Sequence, residues 1–509
     1  MHIMRATLAA VLLALAPPLL AADASIRVTS PAVDGTDVAG NVNLHYTITN
    51  TGTVDLPGVG AVVEVPPNWT FTSARGGDCL GFSGSARCKL PALPAGQSLD
   101  FDVALRPPAG PGRYLVTTAF SANELPSTVF RLTDVTLYAQ FVVTTTADAG
   151  PGSLRQAIAD SNRDCAGGSV RSVPCRISFA IAEPLPARGW YTIEPLSPLP
   201  PLDAFDIVVD GTYLNTTPIE LRGTHVFGDG LVLRGTFDTL RGLWIDGFFA
   251  NGVVVDQPIS AAPYLIDHNV IGSDPSGAPV PNGLRGIAIA QGWGTIRDNT
   301  ISGNARSGIF VAGLNGHTYI LDNRIANNGA SGIYIGPSPL HTGVIDQVDV
   351  QGNTISGNHD FPVGTDSTVR RVAVRDNVMF GNGAPFDIGM DGPGLQPMVF
   401  DQPAPTIASA VYDAASGDTV VTIDVHPVRR NFDTWTLYIF ANHALDRAGR
   451  AEAETFLGSV STNNAPTVVF RRHGDLRGQI LTALTVRSTP FEFDTQEAST
   501  ELSDGVVVK

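Results

Sequence analysis

The sequence predicts an all-β protein in which a parallel β-helix solenoid lies between two β-sandwiches. Three observations support this class. A motif of the form Asn-x-Ile-x-x-Asn recurs through the middle of the chain, alternating strands separated by turn residues occupy both ends, and a short helix-like segment precedes the repeats. The chain has 509 residues, which at roughly 100–200 residues per domain suggests about three domains.

Composition excludes several function classes. The net charge is −16 and charged residues make up 16% of the chain, whereas a general nucleic-acid binder or an anionic-lipid binder needs a basic face. Lys89 and Lys509 are the only lysines among 32 basic residues. Chemistry that depends on a lysine Schiff base or a lysine general base is therefore not expected.

The N-terminus has the pattern of a secretory signal peptide. Arg5 precedes an apolar run over residues 6–20, and small residues follow it. We expect cleavage after Ala22 or, alternatively, after Ala24, so residues 1–22 form the signal peptide. No later segment reaches 18 uninterrupted apolar residues, so no membrane span is expected after cleavage. The expected location is secreted, periplasmic or at the cell surface.

The four cysteines fall into two close pairs. In an exported chain local pairing is favoured, which predicts disulfides Cys79–Cys88 and Cys165–Cys175. Zinc is the alternative, but the sequence has no Cys-x-x-Cys.

The first predicted domain is a β-sandwich over residues 23–138. Segments such as 43–49, 99–105 and 114–120 alternate apolar and polar residues, and turn-rich pieces separate them. Next, Ser153 can cap a short helix, with Gln156 completing a capping box. Residues 139–176 are interpreted as a cap segment leading into the solenoid.

The repeats predict a solenoid over residues 177–397. Asn269, Asn299, Asn323, Asn353 and Asn377 begin successive copies at steps of 30, 24, 30 and 24 residues. A second repeat consists of a glycine followed by three apolar or aromatic residues. It begins at Gly252, Gly286, Gly308 and Gly332. A period of 22–24 residues with insertions is typical of stacked coils, and the segment has room for roughly nine of them.

The asparagines of the repeat are interpreted as structural. Asn tolerates the left-handed backbone region, so it can turn the chain between strands. Stacked Asn amides can also hydrogen-bond from one coil to the next. After a Pro-rich linker, residues 406–509 again alternate in the manner of a β-sandwich.

Several motifs resemble a known family. Ser153-Leu-Arg-Gln-Ala-Ile158, Trp190-Tyr-Thr-Ile193 and Pro198-Leu-Pro-Pro-Leu202 resemble the first segment of exported bacterial right-handed parallel β-helix repeat proteins with a pectin-lyase-like fold. Residues 46–53 and 63–71 resemble Ig-like modules of bacterial surface proteins, and residues 440–442, 453–458 and 499–503 resemble the family's C-terminal module. The resemblance implies a right-handed parallel β-helix solenoid flanked by N- and C-terminal Ig-like β-sandwich domains.

Known catalytic signatures of this fold are missing. The Asn-Thr-Asp, Asp-Asp, Gly-His-Gly and Arg-Ile-Lys motifs of polygalacturonase-type hydrolases do not occur, and such hydrolases need two carboxylates in separate roles. Ile266-Asp267-His268 resembles part of a pectate-lyase signature, but its place before Asn269 favours a coil corner at the surface.

Calcium is a weak possibility and no other cofactor is expected. Asp298, Asp322 and Asp376 each precede a repeat Asn, two of them on successive coils. Carboxylates at that spacing repel unless they are solvated or bridged by a cation. Solvated surface acids are the favoured interpretation.

The longer coils carry the candidate ligand-binding residues, because extra residues in a solenoid project as loops. The loops at 337–346 and 359–371 hold the densest set of titratable groups in the solenoid, namely His341, Asp346, His359, Asp360, Asp366 and Arg370. No catalytic residue can be named.

Two functions remain open. The favoured one is a non-catalytic exported surface protein that is structural, adhesive or glycan-binding, with a polysaccharide or cell-surface glycan as its partner. The alternative is a polysaccharide-degrading enzyme, most plausibly a lyase.

Overall fold

The computed structural model describes residues 24–36, 40–165, 173–214, 216–258, 263–312, 315–337, 345–366, 369, 372–384, 387–389, 404–425, 434–445, 452–462, 465–490, 495–500 and 502–509. The predicted signal peptide lies outside these residues. The chain divides into two compact units, Met1–Tyr138 and Ala139–Lys509.

The first unit is a β-sandwich whose strands pair antiparallel except β2, which pairs parallel with β10. Its strands are β1 (Ile26–Thr29), β2 (Val33–Asp34), β3 (Val42–Asn50), β4 (Val59–Glu64), β5 (Thr70–Arg75), β6 (Asp78–Phe82), β7 (Ser85–Leu90), β8 (Ser98–Arg106), β9 (Gly112–Ser121) and β10 (Val129–Leu137). One sheet has the order β1-β3-β8-β5 and the other β2-β10-β9-β4-β7-β6. Strand β3 shows why the sandwich forms, because every second side chain is buried. The Cys79–Cys88 disulfide joins directly opposed residues of β6 and β7.

The second unit begins with the parallel solenoid. Its elements are β11 (Ala139–Val143), α1 (Leu154–Asp164), β12 (Cys175–Phe179), β13 (Tyr191–Ile193), β14 (Ile207–Asp210), β15 (Ile219–Arg222), β16 (Leu231–Leu233), β17 (Thr239–Arg241), β18 (Leu243–Asp246), β19 (Val253–Asp256), β20 (Tyr264–Asp267), β21 (Val270–Ile271), β22 (Ile287–Gln291), β23 (Gly294–Arg297), β24 (Thr300–Ser302), β25 (Ile309–Val311), β26 (Asn315–Leu321), β27 (Arg324–Ala326), β28 (Ile333–Ile335), β29 (Ile345–Gln351), β30 (Thr354–Ser356), β31 (Val363–Asp366), β32 (Val372–Arg375), β33 (Val378–Phe380) and β34 (Asp387–Gly389).

Each coil of the solenoid contributes one strand to each of three parallel sheets. Sheet 1 has the order β11-β12-β14-β17-β20-β23-β26-β29-β32, sheet 2 the order β13-β15-β18-β21-β24-β27-β30-β33, and sheet 3 the order β16-β19-β22-β25-β28-β31-β34. The predicted all-β class with a central solenoid is therefore confirmed. Seven turns carry all three strands. The estimate of nine was too high because insertions lengthen several coils, as between β21 and β22 and between β28 and β29.

The core of the solenoid is a stack of β-branched and leucine side chains. Ile301, Ile325 and Ile355 lie in register on successive coils of sheet 2 and are fully buried. One continuous apolar cluster extends from Val143 to Val486. No coil could bury its apolar face alone, so neighbouring coils stabilise one another.

Two asparagine ladders hold the corners of the coils. At the corner between sheets 1 and 2, Asn299 Nδ2 donates to Asn323 Oδ1 over 3.0 Å. At the corner between sheets 2 and 3, Asn304 Nδ2 donates to Asn328 Oδ1 over 2.9 Å. The members are Asn269, Asn299, Asn323, Asn353 and Asn377 in the first ladder, and Asn282, Asn304, Asn328, Asn358 and Asn382 in the second. The predicted amide stacking is therefore present.

The predicted left-handed role of these asparagines is wrong for the ladder positions. In the first ladder the left-handed residue is the one before the asparagine, as at Asp298, Asp322 and Asp376, where φ is 55°, 54° and 55°. The ladder asparagines themselves are buried. Their amides satisfy backbone carbonyls that would otherwise be unpaired, such as that of Ile266, which accepts from Asn299 Nδ2.

Helix α1 closes the N-terminal end of the solenoid. Ser153 caps it, since its Oγ accepts from Gln156 N. The second half of the predicted capping box is absent, because the Gln156 side chain donates to Asp160 one turn on. The Cys165–Cys175 disulfide ties the C-cap of the helix to β12.

A second antiparallel sandwich follows the solenoid. Its strands are β35 (Thr406–Asp413), β36 (Asp418–Asp424), β37 (Thr434–Asn442), β38 (Thr455–Ser461), β39 (Thr467–His473), β40 (Ile480–Pro490), β41 (Thr495–Ser499) and β42 (Val506–Val507). It contacts the last coil. Asn382 Nδ2 donates to Glu452 Oε1 over 2.9 Å, and Ser499 Oγ hydrogen-bonds the backbone of Val374. The sandwich therefore covers unpaired groups at the open end of the solenoid.

Candidate functional site

The outer face of sheet 3 carries a row of side chains that point away from the core. In β25 the fully buried Ile309 and Val311 flank Phe310, so Phe310 points outward. The middle residues of successive strands are in register, in the order Val254, Ala288, Phe310, Tyr334 and Gly364. The row thus runs along the axis of the solenoid with a spacing of ~4.8 Å per coil.

Three residues of this face form a stacked arrangement that we call the aromatic column: Arg285, Phe310 and Tyr334. The rings of Phe310 and Tyr334 are 5.7 Å apart between centroids and 8° from parallel. The guanidinium carbon of Arg285 lies 3.9 Å from the centroid of Phe310, where the ring's electron density attracts a cation. Phe310 is buried and Tyr334 is half-buried, so the Tyr334 end of the column is accessible.

A third aromatic ring follows the column. Gly364 occupies the next position of the row, and a Cβ there would come within 3.1 Å of the Phe361 ring. The absence of a side chain at Gly364 therefore lets the half-exposed Phe361 lie over the strand. Tyr334 and Phe361 together give sheet 3 an accessible aromatic surface next to Asp366.

The electrostatics of this face differ from one end to the other. Burial lowers the pKa of Arg285, and the nearby Arg306 lowers it further, against the attraction of Asp229. Burial raises the pKa of Tyr334, and the Asp366 carboxylate adds to that shift. Arginines therefore dominate one end of the column and an acid the other.

The structure places some of the predicted ligand-binding residues beside sheet 3. His359 and Asp360 hydrogen-bond each other over 2.9 Å at the corner between sheets 2 and 3, and Asp366 ends β31. Asp346 belongs to β29, but its side chain is outside the described part of the structure. His341 and Arg370 lie outside the described residues. That these six residues bind a ligand stays a prediction.

A pair of exposed phenylalanines lies at the corner between sheets 2 and 3, with Phe227 three coils and Phe249 two coils before Phe310. The side chains of Phe227 and Phe249 are 84% and 67% exposed, and their ring centroids are 5.2 Å apart. Exposed aromatic pairs on a soluble surface are unusual unless they contact a ligand or a partner.

The fragment Ile266-Asp267-His268 is a corner, as expected, although Asp267 is not at the surface. The Asp267 carboxylate is 1% exposed and accepts two hydrogen bonds from Arg241, at 3.0 and 3.1 Å. His268 is exposed and left-handed, with φ of 57°. Arg297 Nη2 also lies 3.4 Å from the Asp267 carboxylate. The two arginines explain why this carboxylate can be buried.

The acids considered for calcium stand at turn positions. Asp298 is 39% exposed, and Arg297 lies 3.9 Å from it. Within the described ranges no group of three His, Cys, Asp or Glu side chains is placed to hold a metal ion. Calcium binding stays an untested expectation.

The sequence analysis missed a buried carboxyl cluster on sheet 2. Glu220 and Asp246 lie on neighbouring coils with side chains that are 0% exposed, and Arg222 bridges them through contacts of 2.5 and 3.2 Å. Burial raises the pKa of Asp246 to about 7, and the Glu220 carboxylate adds to the shift. The cluster has no sequence signature, because its members are 26 residues apart and meet only through the coil register.

We expect Asp246→Asn to stabilise the protein at alkaline pH. An acid whose folded pKa exceeds its unfolded pKa costs stability progressively as pH rises from about 4 to 7, and fully above that. The variant removes this cost. The difference in melting temperature, variant minus wild type, should therefore increase from pH 5 to pH 8. Differential scanning calorimetry across this range measures it.

Asp274→Asn is the matched control. Asp274 lies near the same arginine, Arg222. Burial raises the pKa of Asp274, but hydrogen bonds from Ser276 act against burial and the net effect is a lowered pKa. Replacing it should therefore cost stability at neutral pH and not in acid. If Asp246→Asn shows the same pH trend as Asp274→Asn, the account of the buried pair is wrong.

The aromatic column was also missed, although the sequence carries a signal for it. In the repeat that begins with glycine, the second residue after the glycine is small in two earlier coils, where it is Val254 and Ala288. It is aromatic in the next two coils, where it is Phe310 and Tyr334. An outward position that changes from small to aromatic on adjacent coils indicates a surface selected for contact.

In the described part of the chain, no helix has the length and apolar character needed to cross a bilayer.

The sheets and corners define a parallel β-helix protein, and comparison with known families gives its hand. Residues 229–403 match the family described as the right handed beta helix region. The chain therefore contains a right-handed parallel β-helix, as the resemblance of its motifs implied. No curated protein matches the sequence.

Comparison with solved structures gives matches of low similarity. The catalytic unit of a thermostable GH87 α-1,3-glucanase from Streptomyces thermodiastaticus strain HF3-3 is 14% identical, with 73% of this chain and 85% of that chain covered and a TM-score of 0.28. The tailspike protein gp49 of Acinetobacter baumannii bacteriophage Fri1, a capsular polysaccharide depolymerase, is 8% identical, with 65% and 74% covered and a TM-score of 0.23. At these TM-scores neither supports an argument about the activity of this chain.

Proposed function

We propose that the protein is an exported, non-catalytic glycan-binding protein and that the outer face of sheet 3 is its binding surface. The observation that carries the proposal is the accessible aromatic surface of Tyr334 and Phe361, continuous with the Arg285–Phe310 stack. Sugar C–H groups pack against aromatic rings, whose faces carry negative charge. The arginine supplies donors for sugar oxygens.

The extended form of the surface suits a polymer. Phe227 and Phe249 lie on earlier coils, at the corner that borders sheet 3, and Phe361 follows the column on the next coil. These positions span five coil steps, or about 24 Å at ~4.8 Å per step. A ligand that contacts all of them must be an extended chain rather than a single sugar.

Export agrees with the cysteine chemistry. Both predicted disulfides form, and the described residues include no free cysteine. Disulfides persist in oxidising compartments outside the cytosol. This supports, together with the N-terminal sequence pattern, a secreted or cell-surface location.

One observation favours a second candidate, a polysaccharide lyase. A lyase removes a proton next to a uronate carboxyl group, and an arginine can serve as the base only if its pKa is lowered. Arg285 is half-buried, and burial lowers its pKa. For a lyase on sheet 3 we assign no catalytic acid and no catalytic metal among the described residues.

A screen of the mature protein separates the two functions. A glycan array reports binding, and ultraviolet absorbance reports the unsaturated product of a lyase. We expect binding of at least one polysaccharide class without product. Formation of unsaturated product that is lost in Arg285→Gln would establish the lyase instead, and absence of binding to every glycan would refute both.

A further inference from the structure

We propose that the glycan bound on sheet 3 is anionic and that Arg285 and Arg306 bind its carboxylate or sulfate groups. This inference rests on the proposed function and goes beyond it by naming the chemical class of the ligand. It is carried by two arginines on consecutive coils, Arg285 and Arg306, neither of which forms an ion pair in the part of the chain that the structure describes.

Arg285 is held in a fixed orientation by its stacking. Phe310 covers one face of the guanidinium at 3.9 Å, so the remaining hydrogen-bonding capacity lies in the plane of the group. A planar guanidinium presents its N–H groups as a fork that fits a carboxylate or sulfate with two parallel hydrogen bonds. Stacking orders the side chain beforehand, which reduces the entropy lost on binding.

Arg306 places a second cation next to the first. Arg306 N donates to the carbonyl of Leu284 over 2.7 Å, which puts Arg306 one coil beyond Leu284 and Arg285. Arg306 is exposed, and its charge opposes protonation of Arg285. Two neighbouring like charges raise the energy of the unliganded protein, and an anion between them would remove that repulsion.

The described acids of the surrounding surface bind other groups, although Asp229 still attracts Arg285 electrostatically. Asp229 accepts hydrogen bonds from Asn251 at 2.7 and 3.0 Å. Asp256 lies 3.4 Å from Arg234 and accepts from Gln291 over 2.9 Å. Within the described residues, neither Arg285 nor Arg306 makes an ion pair. Asp366 ends a strand three coils beyond β22, or about 14 Å away at ~4.8 Å per coil.

The background charge makes this pair distinctive. The protein has a net charge of −16, so an anionic polymer is repelled by the molecule as a whole. Two arginines that lie on an aromatic surface and form no ion pair with any described residue are therefore a specific attraction for an anion. Binding to it should weaken as salt is added, because counter-ions screen exposed charges within about 8–10 Å at physiological ionic strength.

The test uses pairs of polymers that differ only in charge. Polygalacturonate, alginate and hyaluronan are each compared with their carboxyl-reduced, neutral forms by affinity electrophoresis and calorimetry on the full mature protein. We expect at least one acidic polymer to bind roughly tenfold or more tighter than its reduced form, since charge-assisted hydrogen bonds contribute about 1.5–3 kcal/mol each.

Variants assign the effect to the two arginines. Arg306→Gln changes an exposed residue and should weaken acidic-polymer binding about tenfold, while Arg285→Gln/Arg306→Gln should make acidic and reduced polymers bind equally. Arg324→Gln, an exposed arginine on sheet 2 of the same solenoid, is the control and should change nothing.

The outcomes distinguish this inference from the proposed function. Equal binding of acidic and reduced polymers by wild type overturns the inference and leaves glycan binding intact. Acidic preference that survives the double arginine change also overturns it, because the anion is then bound elsewhere. If no polymer of either kind binds, and no glycan on the array does, the proposed function fails and the inference fails with it.

Discussion

Replacing Ile309 by aspartate should prevent folding of the β-helix. Ile309 is fully buried and in register with Ile287 and Ile333, which are fully buried on the coils before and after it. A carboxylate at this position would have no partner, and burying it costs several kcal/mol or more. Because adjacent coils depend on each other, the damage should extend along the stack.

Circular dichroism and thermal melting measure this effect, and Thr300→Asp is the matched control. Thr300 belongs to the neighbouring strand β24, points outward and pairs with Arg324 in the next coil. Its replacement should change stability by less than about 0.5 kcal/mol, as surface substitutions usually do. A soluble Ile309→Asp protein with wild-type melting would show that the strand register is wrong.

The second large effect is functional. Replacing Tyr334 and Phe361 together by alanine should reduce glycan affinity at least a hundredfold while leaving the fold intact. Both side chains are partly exposed and lie outside the apolar core cluster, so part of each ring is available to a ligand. Truncating an aromatic anchor of a binding surface costs about 2 kcal/mol or more, so removing two of them accounts for a loss of this size.

Affinity electrophoresis with the best glycan from the array measures the loss, and Phe380→Ala is the control. Phe380 is 41% exposed on sheet 2 of the same solenoid. It removes the same kind of ring from a different face and should leave binding unchanged. Retained affinity in the double variant, or equal loss in the control, would contradict the assignment of the site to sheet 3.

Much of the fold could be predicted because a solenoid repeats its requirements in every coil. Asparagine recurs at Asn299, Asn323 and Asn353 since each coil leaves the same backbone carbonyls to be satisfied. The same periodicity led to a specific error. Asn299 and Asp298 are adjacent in sequence, and only the structure shows that Asp298 is left-handed while Asn299 is buried in the ladder.

The candidate site was harder to predict from the sequence. The densest set of titratable residues lies in the insertion loops, whereas the aromatic column lies on the strands of sheet 3. Asp366 and His359 do border sheet 3, but Arg285, Phe310 and Tyr334 lie in or beside its strands and not in the loops at 337–346 and 359–371. The stacking depends on which strand residues point outward and on the register between coils, and the sequence pattern does not specify this register.

Buried charges were beyond sequence analysis for a similar reason. Glu220 and Asp246 each look like a polar residue on the solvent side of a strand, and neither lies near the other in sequence. Trp190 and Arg222 contact Glu220 and contribute to its burial. The burial of these carboxylates depends on residues from loops and neighbouring coils, and the repeat pattern of the sequence does not specify those contacts.

The central claim is that sheet 3 is the glycan-binding surface, and a crystal structure of the mature protein with an oligosaccharide fragment of its best glycan tests it most directly. The account predicts sugar rings packed against Tyr334 and Phe361, extending toward Arg285 and Arg306. Sugar density on either sandwich, or on sheets 1 or 2 with sheet 3 left bare, would contradict it.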